Sequence, residues 1–214
     1  VEIEGWIDAM AFCSLSFPTF YFMRHAQSVD GEKGLVPQSD ACDGLTPLGV
    51  RQVLDVADEV QRRGLVPATL LTSPLERARA TAQILADRWG LPCREIASFR
   101  EHGLGDWEGQ AWHLLSERFE RREAPPNGEP FPVFYRRLVD GLDQVARAAA
   151  PVLVVAHGGV WHGFKALCDD FTTDWIPYAC FCKVTLQDGH MTSNRLIAPS
   201  PLETRATPVL AGGL

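Results

Sequence analysis

Arg24-His25, Arg77 and His157-Gly158-Gly159 are the residues of this 214-residue chain whose types and placement could do chemistry together. Each follows an apolar or β-branched run that reads as a strand: Thr19–Met23 before Arg24, Ala68–Thr72 before Arg77, and Pro151–Ala156 before His157. Parallel pairing would bring the C-terminal ends of these strands to one edge of a sheet, the edge at which open α/β sheets bind ligands. Two arginines and two histidines would then share one cleft. Such a cluster suits phosphate, because guanidinium forks match its oxygens and keep their charge. Helix N-termini at the same edge add dipoles and free N–H groups.

The elements that must position these residues alternate along the chain. After a polar, Gly-rich loop expected over 30–44, Thr46 and Pro47 open a helix whose Val50, Val53, Ala57 and Val60 share a face, and Gly64 follows its last turn. Ser73 and Glu76 have the spacing of a capping box for a second helix that runs to Trp89 and ends at Gly90. A short strand is expected over Cys93–Ala97, then an irregular stretch over 101–130 with a short helix near Trp112–Arg121. A helix over Phe131–Ala150 precedes the apolar strand Pro151–Ala156, which has the composition of the middle of a parallel sheet. A further helix starts near Val160, and strands over Ala179–Gln187 and His190–Ile197 flank the hairpin signal Asp188-Gly189. The pattern implies an α/β fold, a three-layer sandwich with a mostly parallel central sheet flanked by helices. The length suits a single domain over 1–214, with residues 1–17 as an N-terminal extension and 199–214 as a loose tail.

Composition narrows the chemistry further. The formal net charge of −7 argues against nucleic acid as a partner, while a small phosphorylated substrate needs only local positive charge. The six scattered cysteines read as reduced thiols, which fits a cytoplasmic protein. No segment has the ~20 consecutive apolar residues of a membrane span, and the acidic start lacks the basic region of a secretory leader. No cysteine has an arginine six residues later, and there is no Gly-Lys-Ser/Thr phosphate loop, Asp-x-Asp pair or His-Glu-x-x-His zinc helix. No metal ligand set and no cofactor are expected.

Arg24-His25-Ala26-Gln27-Ser28 after an apolar strand resembles the signature of the histidine phosphatase superfamily, which includes the cofactor-dependent phosphoglycerate mutases. The resemblance continues, in the family's order, through Leu45-Thr-Pro-Leu-Gly49 with Gln52, Thr72-Ser-Pro-Leu-Glu-Arg77-Ala-Arg-Ala-Thr81, Arg100-Glu-His-Gly-Leu-Gly-Asp-Trp-Glu-Gly109 and Ala156-His-Gly-Gly159. It implies a metal-independent phosphatase in which His25 attacks phosphorus and becomes phosphohistidine. Arg24, Arg77 and His157 would hold the phosphoryl oxygens, and Glu101 would act as general acid and then general base. That division of labour agrees with the demands of phosphoryl transfer, which needs in-line positioning and fixed positive charge.

The chain departs from the mutase pattern at three places. Gly31 stands where mutases carry Asn, Leu104 where they carry Tyr, and Gly159 where they carry Asn; His162 stands where relatives carry Arg. A phosphatase of a small metabolite is therefore the leading expectation. The alternatives are a phosphoprotein phosphatase in signalling, mutase-type phosphoryl transfer, and a non-catalytic phosphate-binding module. Asp106 and Glu108 compete with Glu101 for the acid role. His102, His113 and His190 read as ordinary residues, and Trp107 and Trp112 as either pocket or core. The assembly is expected to be a monomer or homodimer.

Overall fold

A computed structural model describes residues 16–38, 43–121, 123–172 and 174–199; all but the first residue of the expected tail over 199–214, most of the expected extension and two of the cysteines, Cys13 and Cys42, lie outside them. In chain order the elements are β1 (Phe17–Arg24), α1 (Val29–Glu32), α2 (Pro47–Arg62), β2 (Thr69–Thr72), α3 (Glu76–Trp89), β3 (Cys93–Glu95), α4 (Ser116–Glu120), α5 (Phe131–Ala146), β4 (Val152–Ala156), α6 (Gly158–Ala166), β5 (Phe181–Gln187) and β6 (His190–Ile197). Short 3-10 turns cover Ala97–Phe99, Gly105–Trp107 and Trp112–Leu114.

The six strands form one sheet in the order β3-β2-β4-β1-β5-β6. The first four run parallel, and β5 and β6 add antiparallel at one edge. Side-chain alternation divides the core between the two faces. Phe20 and Phe22 of β1 and Val152 and Val154 of β4 pack with Phe134, Leu138 and Leu142 of α5 and Val160, Trp161 and Phe164 of α6. Met23, Leu70, Leu153 and Val155 face the other way, onto Val53, Val56, Ala57 and Val60 of α2 and Ala78, Ala82 and Leu85 of α3. All five residues of β4 are buried, as the run of apolar side chains requires of a strand covered on both faces.

Local chemistry sets most boundaries. Thr46 caps α2 by accepting from Gly49 N, with Pro47 in the first turn. Gly90 closes α3 in the left-handed region, at φ 66°. The Asp188-Gly189 turn has positive φ at both residues, the geometry that suits a two-residue hairpin. Three expectations are corrected. Ser73 does not cap α3: Leu75 stands at the N-cap without a side-chain bond, and the Ser73 hydroxyl is used elsewhere. The Gly-containing stretch after Ser28 holds a short helix, α1, capped by Ser28 itself. The helix expected to reach Ala150 ends at Ala146.

Candidate active site

Because β2, β4 and β1 are parallel neighbours, the segments that follow them leave the sheet side by side. Arg24 is the last residue of β1, His25 follows it, and His25 N–H donates to Ala156 O at the end of β4 (2.8 Å). Arg77 lies in the first turn of α3, and His157 immediately precedes α6. All four are buried, and the His25 and His157 rings are 5.2 Å apart, centroid to centroid.

The motifs around them serve as a clamp on the segment that carries His25. Ala26 N–H donates to Thr81 Oγ1 (3.1 Å), and Gln27 N–H to Gln52 Oε1 (3.1 Å). The Thr46 hydroxyl donates to Gln27 Oε1 (2.8 Å), and a Cβ on Gly49 would overlap Gln27 O. Thr46, Gly49, Gln52 and Thr81 thus fix the backbone on either side of Ala26, which removes freedom that a reacting side chain would otherwise have.

The two imidazoles are held differently. His25 Nδ1 lies 2.8 Å from Ala26 O; since a carbonyl can only accept, Nδ1 carries the proton and Nε2 keeps its lone pair. Burial, then Arg77 and Arg24, hold the His25 pKa well below the usual imidazole value, so the ring is neutral near pH 7. His157 Nε2 is 2.7 Å from Ser73 Oγ, and that oxygen also accepts from Leu75 N–H (3.3 Å). The Ser73 hydrogen is free to go to Nε2, which leaves the His157 proton on Nδ1. The His157 pKa is also held well below the ordinary value, by burial, Arg77, His25 and Arg24.

Arg24 Nε, Arg77 Nε and His157 Nδ1 are buried with no hydrogen-bond partner among the described residues. Orphan donors at this depth are costly and uncommon in folded proteins. Three of them around a neutral imidazole form a ready cradle for an oxyanion. Arg24 is held from the other side by Nη1 donating to Ile176 O (2.9 Å) and by stacking on Tyr178, with the guanidinium carbon 3.9 Å from the ring centroid. Arg77 is pulled below the usual guanidinium value by burial, against the opposing pull of Glu101 and Asp43.

Of the three neighbouring carboxylates, Glu101 reaches the turn that carries His157. Its Oε2 accepts from Gly159 N–H (3.0 Å) and its Oε1 from His102 N–H (2.9 Å). A Cβ on Gly159 would overlap Glu101 Oε1, so the second glycine of His-Gly-Gly is what admits the carboxylate. Asp106 is exposed and accepts from Asn127 Nδ2, and Glu108 Oε1 accepts from Leu104 N–H within its own turn. His102 bonds Glu129 O through Nε2 and stacks near Phe131 and Phe134, a structural role.

Four positions escaped the sequence reading. Arg137 on α5 donates to Ser98 O, Arg100 O, Glu101 O and both oxygens of Glu129, which anchors the segment carrying Glu101. Asp43 is buried with Oδ2 3.9 Å from Arg77 Nη1. Trp175 and Tyr178 flank Arg24. Ser73 was visible only as a helix cap. The two stretches read as irregular pack on each other through Val36, Leu104, Trp107 and Leu115, and Trp112 meets Trp175 at 5.4 Å. Trp107 is therefore core of this layer, and Trp112 links it to the rim of the site. Among the described residues no helix is long and apolar enough to cross a membrane.

Residues 20–197 match the model of the histidine phosphatase superfamily (branch 1), and the chain belongs to that family. It is 31% identical to a glucosyl-3-phosphoglycerate phosphatase of Mycolicibacterium vanbaalenii over 157 residues, covering 64% of this chain and 68% of that protein. It is 31% identical to a putative phosphoserine phosphatase 2 of Hydrogenobacter thermophilus over 158 residues, covering 69% and 76%. The fold matches that of a solved mycobacterial hydrolase with a TM-score of 0.72, at 22% identity over 86% of this chain and all of that one.

Proposed function

We propose that this histidine phosphatase superfamily member hydrolyses phosphomonoesters of a small metabolite through phosphohistidine at His25. The observation that carries the reading is the neutral His25 imidazole, with Nδ1 tied to Ala26 O, beside the three unpartnered donors Arg24 Nε, Arg77 Nε and His157 Nδ1. His25 Nε2 attacks phosphorus in line with the leaving oxygen. The P–N bond forms as the P–O bond to the alcohol breaks, and Glu101 gives its proton to the departing oxygen. Water then attacks the phosphohistidine, Glu101 takes the water's proton, and the P–N bond breaks to return the lone pair to Nε2. Arg24 and Arg77 balance the charge on the equatorial oxygens throughout and neutral His157 donates its Nδ1–H to one of them, so the arginines supply the positive field without a metal ion.

The phosphatase relatives support hydrolysis as the outcome. The names of those relatives, glucosyl-3-phosphoglycerate phosphatase and putative phosphoserine phosphatase 2, support a small substrate. Mutase-type transfer is disfavoured: Gly31 and Gly159 have no side chains to offer a second phosphate, and Leu104 is buried in the apolar layer around Trp107. The test is hydrolysis of p-nitrophenyl phosphate in excess EDTA. Turnover should survive the chelator and fall to background in His25→Ala, and wild type trapped in turnover should carry acid-labile, alkali-stable phosphate. Chelator-sensitive turnover, or full activity in His25→Ala, would refute the mechanism.

A further inference from the structure

Tyr178 sits against the candidate catalytic residues with a hydroxyl that no described residue bonds. The residue after it, Ala179, donates its N–H to Arg24 O (3.1 Å) and His25 O (3.3 Å), which ties this turn to the segment that carries His25. Ala179 takes φ 51°, a left-handed conformation that a residue with a Cβ adopts only when its surroundings enforce it. The turn directs the Tyr178 ring under the Arg24 guanidinium, 3.9 Å from the ring centroid, and to within 5.6 Å of the His25 ring.

The far end of the ring reaches α1. A Cβ on Gly31 would overlap the Tyr178 hydroxyl, and the same point is 3.2 Å from Ser28 Oγ. Tyr178 is 5% exposed; its hydroxyl bonds no described residue and is not one of the fully buried unpartnered atoms, so it keeps contact with solvent. A stacking platform for Arg24 needs only a ring, which phenylalanine would supply as well. A glycine on a helix is a cost that needs a reason. The two oddities explain each other if the hydroxyl has a ligand and the absent Gly31 side chain makes room for it.

We propose that the Tyr178 hydroxyl donates a hydrogen bond to the phosphoryl group held by Arg24, Arg77 and His157, with Gly31 supplying the space it occupies. Tyr178 then has two separate parts: a ring that orients Arg24 and an O–H that meets an equatorial oxygen. The proposal deepens the phosphatase reading and rests on it for the identity of the bound group.

Tyr178→Phe removes the O–H and keeps the ring. It should lower kcat/KM for p-nitrophenyl phosphate by about 10- to 100-fold and weaken orthovanadate binding, measured by calorimetry, by about 10-fold or more, with the unfolding midpoint unchanged or raised. Tyr178→Leu, which also loses the ring, should lose more. Gly31→Ala should displace the hydroxyl and give a loss similar to that of Tyr178→Phe, and the double variant should lose no more than either. Wild-type values of kcat/KM and vanadate affinity in Tyr178→Phe would overturn the proposal and leave the phosphatase reading intact. So would losses that multiply in the double variant. Vanadate affinity is read without turnover, so a weakened Tyr178→Phe in a protein that hydrolyses nothing would keep the contact and remove the phosphatase reading. Failure of the wild type to bind vanadate would remove both.

Discussion

Glu101 is held by two backbone N–H groups, one of which belongs to the first turn of α6. The side chain is therefore fixed at the mouth of the cradle rather than free to sample several rotamers, which is what proton transfer at a defined oxygen needs. Its contribution should depend on how badly the leaving group needs a proton. Glu101→Gln is expected to cost about 100- to 10,000-fold in kcat on an alkyl phosphate and clearly less on p-nitrophenyl phosphate, whose phenolate leaves readily. Steady-state kinetics with the two substrates checks this. Equal losses on both would point to a positioning role, and no loss would move the acid to another group. The same residue-scale logic applies to His25, whose depressed pKa keeps the lone pair available on the acid side of neutrality. Its kcat/KM should show no imidazole-type fall between about pH 7 and pH 5.5, where an unperturbed His, near pKa ~6.5, would lose activity.

At the scale of elements, α6 contributes more than a place to hang His157. Its N-terminal glycines let two other groups approach: Glu101 against Gly159, and Trp175 against Gly158. Gly159→Ala should therefore push the Glu101 carboxylate off its seat while leaving the arginines in place. The expected result is a fall in kcat of about 100-fold with orthovanadate affinity close to wild type, read by pairing kinetics with calorimetry. A parallel loss of vanadate binding would mean that the whole turn had moved. Arg137 performs a related service from α5. Its fork spans Glu129 and three carbonyls at the start of the segment that carries Glu101, a set that a lysine's single ammonium could not span.

The whole molecule carries a stability cost for keeping imidazoles neutral in its interior. His25, His157 and His162 all have pKa values lowered chiefly by burial, and that of His162, packed edge-on against Trp175, falls to about 4. The unfolded chain protonates these rings near pH ~6.5 while the folded protein does not, so the unfolded state binds more protons as the pH drops. The sign is fixed: stability is full above about pH 6.5 and declines toward pH 4. His162→Gln should reduce that decline by about 1 kcal/mol per pH unit, measured by chemical denaturation in phosphate-free buffer between about pH 5 and 6.5. An unchanged slope would show that His162 is protonated in the folded state.

Much of this was legible in the order of residues. Apolar periodicity marked the strands that end in Arg24-His25 and His157 and the helices that cover them, because burial imposes its period on the chain locally. The parallel edge followed from the alternation of strand and helix, and the motif residues Thr46, Gly49, Gln52 and Thr81 were flagged before their purpose, clamping Gln27 and Ala26, was visible. Tertiary structure alone decided which polar side chains meet. Ser73 has the spacing of a cap and bonds His157 instead, 84 residues away. Asp43 reaches Arg77, Arg137 reaches the segment before Glu101, and Tyr178 reaches Gly31, each across separate loops. A local pattern reports how each segment meets the core, whereas these pairings depend on the closure order β3-β2-β4-β1-β5-β6, which brings distant segments to one edge and is written in no single stretch of sequence.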